Sequence, residues 1–211
     1  MAKYETDRAI VRLAKEVDNE SIFRLCDEID LAVDYYKYSE IEIQIDSPGG
    51  RIDSLDYYLT KLEGWRRAGI SIATLAMTQA SSAAAIILAL GDIGRRRAYP
   101  TARILFHRAR VQQIPTATAD NLTQMVQSMS TLDTRIENLI SQHILTIPAL
   151  KVAAGATYPS RSLAASVEAK TYPEKLRTED VCDALGRLQR MDQQISPDDA
   201  LAMFLIDSIE Y

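Results

Sequence analysis

The 211-residue sequence is 47% hydrophobic and 25% charged, which is enough for one filled core and typical of a globular chain. A net charge of −5 argues against a nucleic-acid-binding role, because phosphate contacts need a basic face. Cys26 and Cys182 stand far apart without metal-ligand spacing and read as reduced core thiols.

The first residues, Met-Ala-Lys-Tyr-Glu-Thr-Asp-Arg, are polar and lack the apolar run of a secretory signal. A cytoplasmic location is the expectation. Residues 9–13 read as a short opening strand. A helix follows, with Ile22, Leu25, Cys26, Ile29, Ala32 and Val33 on one face. Ile41, Ile43 and Ile45 alternate with Glu42 and Gln44, the period of a half-exposed strand that Pro48, Gly49 and Gly50 end sharply.

Leu55, Tyr58, Leu59, Leu62 and Trp65 outline a second amphipathic helix stopped by Gly69. A strand over residues 70–76 precedes an apolar helix over residues 82–90, which is too short to span a bilayer. Residues 103–107 read as another strand. A long helix over residues 119–144 carries Leu122, Met125, Val126, Met129, Leu132, Ile136, Leu139 and Ile140. Pro148, Gly155, Pro159 and Pro173 break the pattern over residues 146–178, an expected insertion, and a last helix is predicted over residues 197–203. Strand–helix alternation of this kind implies an α/β architecture.

Three features between Ser47 and His107 carry chemistry. In Gln79-Ala80-Ser81-Ser82-Ala83-Ala84-Ala85 the chain passes from strand to helix through small side chains. A serine there has its hydroxyl near the positive end of a helix dipole, beside free N–H groups. The plainer alternative is that Ser81 or Ser82 merely caps the helix. His107 ends a strand, and histidine as a residue type exchanges protons near neutrality, which suits a general base. His143 has no serine or carboxylate motif beside it. The Ser47-Pro48-Gly49-Gly50 turn is either an ordinary strand ending or, through its bare N–H groups together with that of Ala83, a cradle for an oxyanion.

This set resembles the Clp peptidase proteolytic subunits of the Clp/crotonase fold. The resemblance rests on Ile45-Asp46-Ser47-Pro48-Gly49-Gly50, Met77-Thr78-Gln79-Ala80-Ser81-Ser82, Gly91-Asp92-Ile93-Gly94-Arg95-Arg96, Pro100-Thr101-Ala102-Arg103 and Phe106-His107. It covers roughly residues 9–145 and the C-terminal end. It implies a single domain over residues 1–211, a superhelix of repeated β-β-α units with a protruding long helix and the inserted segment. Its register selects Ser82 over Ser81 as nucleophile, with His107 as base and the Gly50 and Ala83 N–H groups as oxyanion donors. Counting back from Ser196-Pro197-Asp198-Asp199-Ala200 and Ile206-Asp207-Ser208-Ile209 lands on Asp192 as the residue that orients His107, with Asp180 and Asp183 as competitors.

The implied activity is a serine endopeptidase acting on unfolded polypeptides, without metal or cofactor. It would work in a homo-oligomeric ring fed by a partner AAA+ unfoldase, since no Walker motif occurs here. Neither nucleic acid nor membrane is an expected partner. Two other readings remain open: a catalytically silent scaffold subunit of a mixed ring, and a crotonase-like acyl-CoA enzyme. The chain departs from the family pattern in four places. The interval from His107 to Asp192 is long, and Thr78 and Ser81 replace residues that are commonly Gly and Ala. Arg108-Ala109-Arg110-Val111-Gln112-Gln113 replaces a glycine-rich strand used for substrate alignment and ring-to-ring contact, and the segment before the first strand is short. Arg95, Arg96 and Arg97 read as a solvated corner or an intersubunit ion pair, and Tyr35, Tyr36 and Tyr38 as core edge or subunit interface.

Overall fold

The computed structural model describes residues 8–110, 118–146, 185–186, 188–190, 192 and 194–211. They fall into two compact units, Met1–Leu105 with Gln194–Tyr211, and Phe106–Gln193. Within the first unit, β1 (Arg8–Leu13), β2 (Glu40–Ser47), β3 (Ser71–Ser81) and β4 (Arg96–Ala98) run parallel in that order, and β7 (Ser208–Ile209) closes the far edge beside β4. The short β5 (Arg103–Leu105) pairs with the end of β3 and, antiparallel, with β6 (Gln194–Ile195). The result is a mixed α/β structure built on a parallel sheet.

Two helices cover the apolar side of that sheet. Helix α1 (Asn19–Asp30) is opened by a capping box in which Asp18 and Ser21 each bond the other's backbone N–H, at 2.7 and 2.9 Å. It buries Ile22, Leu25, Cys26 and Ile29, and a π-helical turn, Leu31–Tyr35, continues it and buries Ala32. Burial pushes the Cys26 thiol up to about 12, so it packs as a small apolar group. Helix α2 (Leu55–Arg67) buries Leu55, Tyr58, Leu62 and Trp65. Tyr35, Tyr36 and Tyr38 are exposed.

The sheet departs from the sequence expectation on its polar side. Glu42, read as the exposed face of a half-buried strand, is only 2% exposed. It pairs with Arg8 of β1 at 3.0 Å and with Arg97 of β4, while Arg97 also reaches Glu210 at 2.6 Å. Parallel strands flanked on both sides need both faces covered, and here an ionic ladder covers the second. The arginine run is accordingly no solvated corner: Arg96 is fully buried against Asp207, and Arg95 pairs with Glu40.

Helix α3 (Ala83–Ala89) is buried along its whole length. Each of its last carbonyls meets a side-chain donor from a neighbouring element. Thr74 Oγ1 donates to Leu88 O at 2.8 Å, Arg96 Nη1 to Ala89 O at 3.3 Å, and Arg66 Nη2 to Leu90 O at 2.6 Å. Two cations at a helix C-terminus also complement its dipole. Helix α5 (Pro197–Ala202) is capped by Ser196 and Asp199 in a second capping box.

The second unit is dominated by α4 (Ala119–Ile144), whose start is capped by Thr118. Only its C-terminal half is buried, through Asp133, Ile136, Ile140, Ser141 and Ile144. Leu122 and Val126 in its first half are exposed. Of the expected insertion over residues 146–178, all but Thr146 lies outside the described residues, as does Cys182. Among the described residues no helix is long and apolar enough to cross a membrane.

Candidate active site

Strand β3 runs five residues beyond its sequence-predicted end and delivers Ser81 and Ser82 directly from the sheet. Ser82 then turns the chain into α3 with φ 54° and ψ −125°. A non-glycine residue in that region is strained, and such strain is found where surrounding structure enforces a functional turn. The geometry also excludes the capping alternative. A capping serine has extended dihedrals and a side chain bonded into the first turn, and Ser82 makes no such bond. Its backbone N–H is held instead by Leu105 O of β5 at 2.7 Å. The turn is a strand–serine–helix elbow, which leaves a nucleophile's side chain unencumbered by its own backbone.

The Ser47–Gly50 turn packs against this elbow. Ser47 Oγ donates to Lys15 O at 2.5 Å and accepts the Gly49 N–H at 3.1 Å, so the buried hydroxyl ties the turn to the segment that follows β1. Gly49 has φ 84°, and a Cβ placed on it would lie 2.6 Å from Ser82 Cβ. Only glycine allows that approach. Gly50 forms a parallel bridge with Val17, in which Val17 N–H bonds Gly49 O at 2.8 Å and Arg51 N–H bonds Val17 O at 2.7 Å. In a parallel bridge the central residue's own N–H points away, and among the described residues that of Gly50 meets no backbone acceptor. Ala83 is the first residue of α3, so its N–H has no intrahelical acceptor either. Gly50, Ser82 and Ala83 thus belong to one locality in the first unit.

His107 and Asp192 belong to the second unit. His107 lies two residues past β5, which ends at Leu105 rather than at the histidine. Its Nδ1 is 2.6 Å from the Arg108 carbonyl oxygen. A carbonyl only accepts, so Nδ1 is the donor in this contact, and Nε2 is the ring nitrogen it leaves for other chemistry. Ala109 N–H donates to the buried carboxylate of Asp133 on α4 at 2.8 Å, which anchors the segment carrying the histidine. Asp192 is exposed, has φ 53°, and pairs with the Arg110 guanidinium. Among the described residues no hydrogen bond joins His107 to Asp192. Asp180 and Asp183 lie outside the described residues.

Sequence reasoning missed Asp133, Arg110 and the Arg108 carbonyl. A carboxylate at a buried helix position was the available signal for Asp133. No local pattern signals the other two.

A model of the Clp protease family matches residues 3–172, well over half of the sequence. The chain belongs to the Clp protease family. It is similar to ATP-dependent Clp protease proteolytic subunit 1 of Mycolicibacterium paratuberculosis, 28% identical over 137 residues that make up 65% of this chain and 64% of that protein. Subunit 1 of Mycobacterium tuberculosis is 39% identical over 100 residues, 47% of this chain and 48% of that protein. Subunit 3 of Streptomyces coelicolor is 31% identical over 108 residues, 51% of this chain and 48% of that protein. The chain therefore spans between 48% and 64% of the length of these relatives. Gly50, Ser82, Ala83 and His107 fall inside the Clp family match, and Asp192 falls beyond it.

Proposed function

We propose that this Clp-family chain is a serine endopeptidase subunit that hydrolyses peptide bonds in unfolded polypeptides. The observation that carries this reading is the strained Ser82 elbow, with Gly49 pressed against it and the Gly50 and Ala83 N–H groups without backbone acceptors among the described residues. Ser82 Oγ attacks the scissile carbonyl, and Nε2 of His107 takes its proton and returns it to the leaving amine. The N–H groups of Gly50 and Ala83 receive the developing oxyanion. Asp192 turns to His107 Nδ1 and stabilises the imidazolium, in place of the Arg108 carbonyl that the imidazole now holds.

The same reading includes the Clp/crotonase superhelix as one domain with an insertion over residues 146–178. It also includes a homo-oligomeric ring enclosing the sites, a partner AAA+ unfoldase that feeds it, and a cytoplasmic location. The relatives' names, ATP-dependent Clp protease proteolytic subunits, support the subunit assembly and the ATP-driven partner; the remaining points are proposals.

Labelling with a fluorophosphonate probe tests the activity. Stoichiometric modification at Ser82 that disappears in His107→Ala is the expected result. A folded, assembled protein that takes no label at Ser82 overturns it. One observation favours a second reading, a catalytically silent scaffold subunit: the His107 Nδ1 and the Asp192 carboxylate each bond another partner.

A further inference from the structure

The backbone ladder between β2 and β3 is interrupted just where the two strands feed the candidate site. Ile45 pairs with Ala76 and Ser47 with Ala80, so Asp46 alone stands opposite Met77, Thr78 and Gln79. The other edge of β3 changes neighbour across the same residues, with Thr74–Ala76 on β4 and Gln79–Ser81 on β5. Among the described residues Met77 and Thr78 consequently have no ladder partner on either side. A bulge of this kind frees the strand beyond it to twist and re-aim its side chains. Downstream of the gap, β2 becomes the Ser47–Gly50 turn and β3 becomes Ser81 and Ser82.

One side-chain bond spans the gap. The Thr78 hydroxyl donates to the Asp46 carboxylate, joining residues 32 apart in sequence. Being charge-assisted, it is stronger than a neutral hydrogen bond. Gln79, the next residue, is met from β5 by Arg103 Nη2 at 3.3 Å, at the position where the β3–β5 ladder begins, so the Thr78–Asp46 bond is the side-chain tie on the interrupted edge.

We infer that Thr78 and Asp46 are positioning residues that set the spacing between the Gly49–Gly50 turn and the Ser82 elbow. They act through Ser82 and Gly50 and do not touch the reacting atoms. The inference rests on the serine peptidase reading. It also explains why a threonine at position 78 is compatible with the site: the bulge places its side chain outward, where it replaces lost ladder bonds.

The test compares wild type with Thr78→Val, Thr78→Ser and Asp46→Asn in the full chain. The readouts are the second-order rate of fluorophosphonate labelling at Ser82, kcat and KM for an unstructured peptide, and thermal midpoint. Both Thr78 and Asp46 are exposed, so valine leaves the midpoint nearly unchanged. Thr78→Val is expected to label about three- to tenfold more slowly, with the loss in kcat rather than KM, because a small misplacement at the nucleophile is costly. Asp46→Asn is expected to fall between, and Thr78→Ser, which keeps the hydroxyl, restores the wild-type rate. Wild-type labelling with equal rates in Thr78→Val overturns this inference alone. A loss that Thr78→Ser shares equally also overturns it, because the hydroxyl is then not what matters. A wild type that takes no label sinks the peptidase reading and this inference with it.

Discussion

Asp207 holds Arg96 through both carboxylate oxygens, with Oδ1 accepting from Nη2 at 2.7 Å and Oδ2 from Nε at 2.9 Å. Oδ2 also takes the backbone N–H groups of Arg96 and Gly94, at 3.0 and 2.8 Å. Arg96 is fully buried, and its remaining nitrogen caps Ala89 O at the end of α3. Asp207 is thereby joined, through Arg96, to the helix that follows Ser82. Burying a guanidinium is tolerable only with every donor placed. Asp207→Ala is expected to destabilise the fold by about 3 kcal/mol, because it strands the fully buried Arg96 guanidinium, and Arg96→Met by somewhat less, because the Asp207 carboxylate it leaves is only partly buried. Urea denaturation of the two variants checks this, and a loss under about 1 kcal/mol in both contradicts it.

The same pair sets an acid limit on stability. Burial alone raises the Asp207 carboxyl, but the Arg96 guanidinium and the two backbone N–H groups outweigh it and hold the group below its ordinary value of 3.8. Since the folded value is the lower one, the contribution is complete above 3.8 and is lost as pH falls through the depressed folded value. Asp207→Asn removes that titration. The stability gap between wild type and Asp207→Asn should be constant from pH 7 to pH 5 and shrink below about pH 4. A gap that stays constant down to the acid transition refutes the linkage.

The strain at Ser82 separates function from stability. Dihedrals of 54° and −125° suit glycine and burden any residue with a Cβ. Ser82→Gly is expected to be more stable than Ser82→Ala by about 1 kcal/mol, although glycine ordinarily costs stability. Both variants should lose peptide hydrolysis by at least about 10³-fold, the scale for removing a triad serine. Thermal midpoints and initial rates measured on the same samples decide it. Alanine more stable than glycine would mean that the elbow is relaxed in solution.

How much of this was legible beforehand depended on whether the cause was local. Helix α4 matched its predicted bounds because Thr118 caps a regular apolar spacing, and β2 was readable from the alternation of Ile41, Ile43 and Ile45. That the Ser47–Gly50 turn lies against the Ser82 elbow was an expectation from the family resemblance, since no local spacing tells which strand ends are neighbours. β3 was underestimated because its end, Gln79–Ser81, is paired by a different neighbour taken up after the bulge, which no periodicity reveals. β4 was missed because arginines read as solvent-facing until Glu42, Glu210 and Asp207 are in place. The partner of Asp192 depends on Arg110, which is 82 residues away.

The contact between the Ser47–Gly50 turn and the elbow leaves no room for a methyl group. A Cβ on Gly49 would overlap the Ser81 carbonyl oxygen and lie 2.6 Å from Ser82 Cβ, at a φ of 84°. Backbone at that position cannot yield as a flexible side chain can. Gly49→Ala should lower Ser82 labelling by about 100-fold, the order expected when the turn is pushed away from the nucleophile. Gly64→Ala is the control, because nothing lies within 4 Å of a Cβ there and the residue sits inside α2. It should label at the wild-type rate and be slightly more stable. Equal labelling by both variants would show that the turn does not press on the serine.

Arg110 and His107 compete for Asp192 in the proposed mechanism. The guanidinium holds the carboxylate, while the imidazole Nδ1 bonds the Arg108 carbonyl instead. Both Arg110 and Asp192 are exposed, so their ion pair contributes little to folding, about 1 kcal/mol or less. Arg110→Gln therefore frees the carboxylate at small cost in stability. If Asp192 is the orienting residue, Arg110→Gln labels Ser82 several-fold faster than wild type. Asp192→Asn labels much more slowly, and the double variant matches Asp192→Asn, because nothing remains to release. If the chain is a silent scaffold subunit, none of the three variants changes labelling. If another carboxylate orients His107, Arg110→Gln and Asp192→Asn both label at the wild-type rate while Ser82 remains reactive. The labelling rates of these four proteins, wild type included, distinguish the cases without knowledge of the natural substrate.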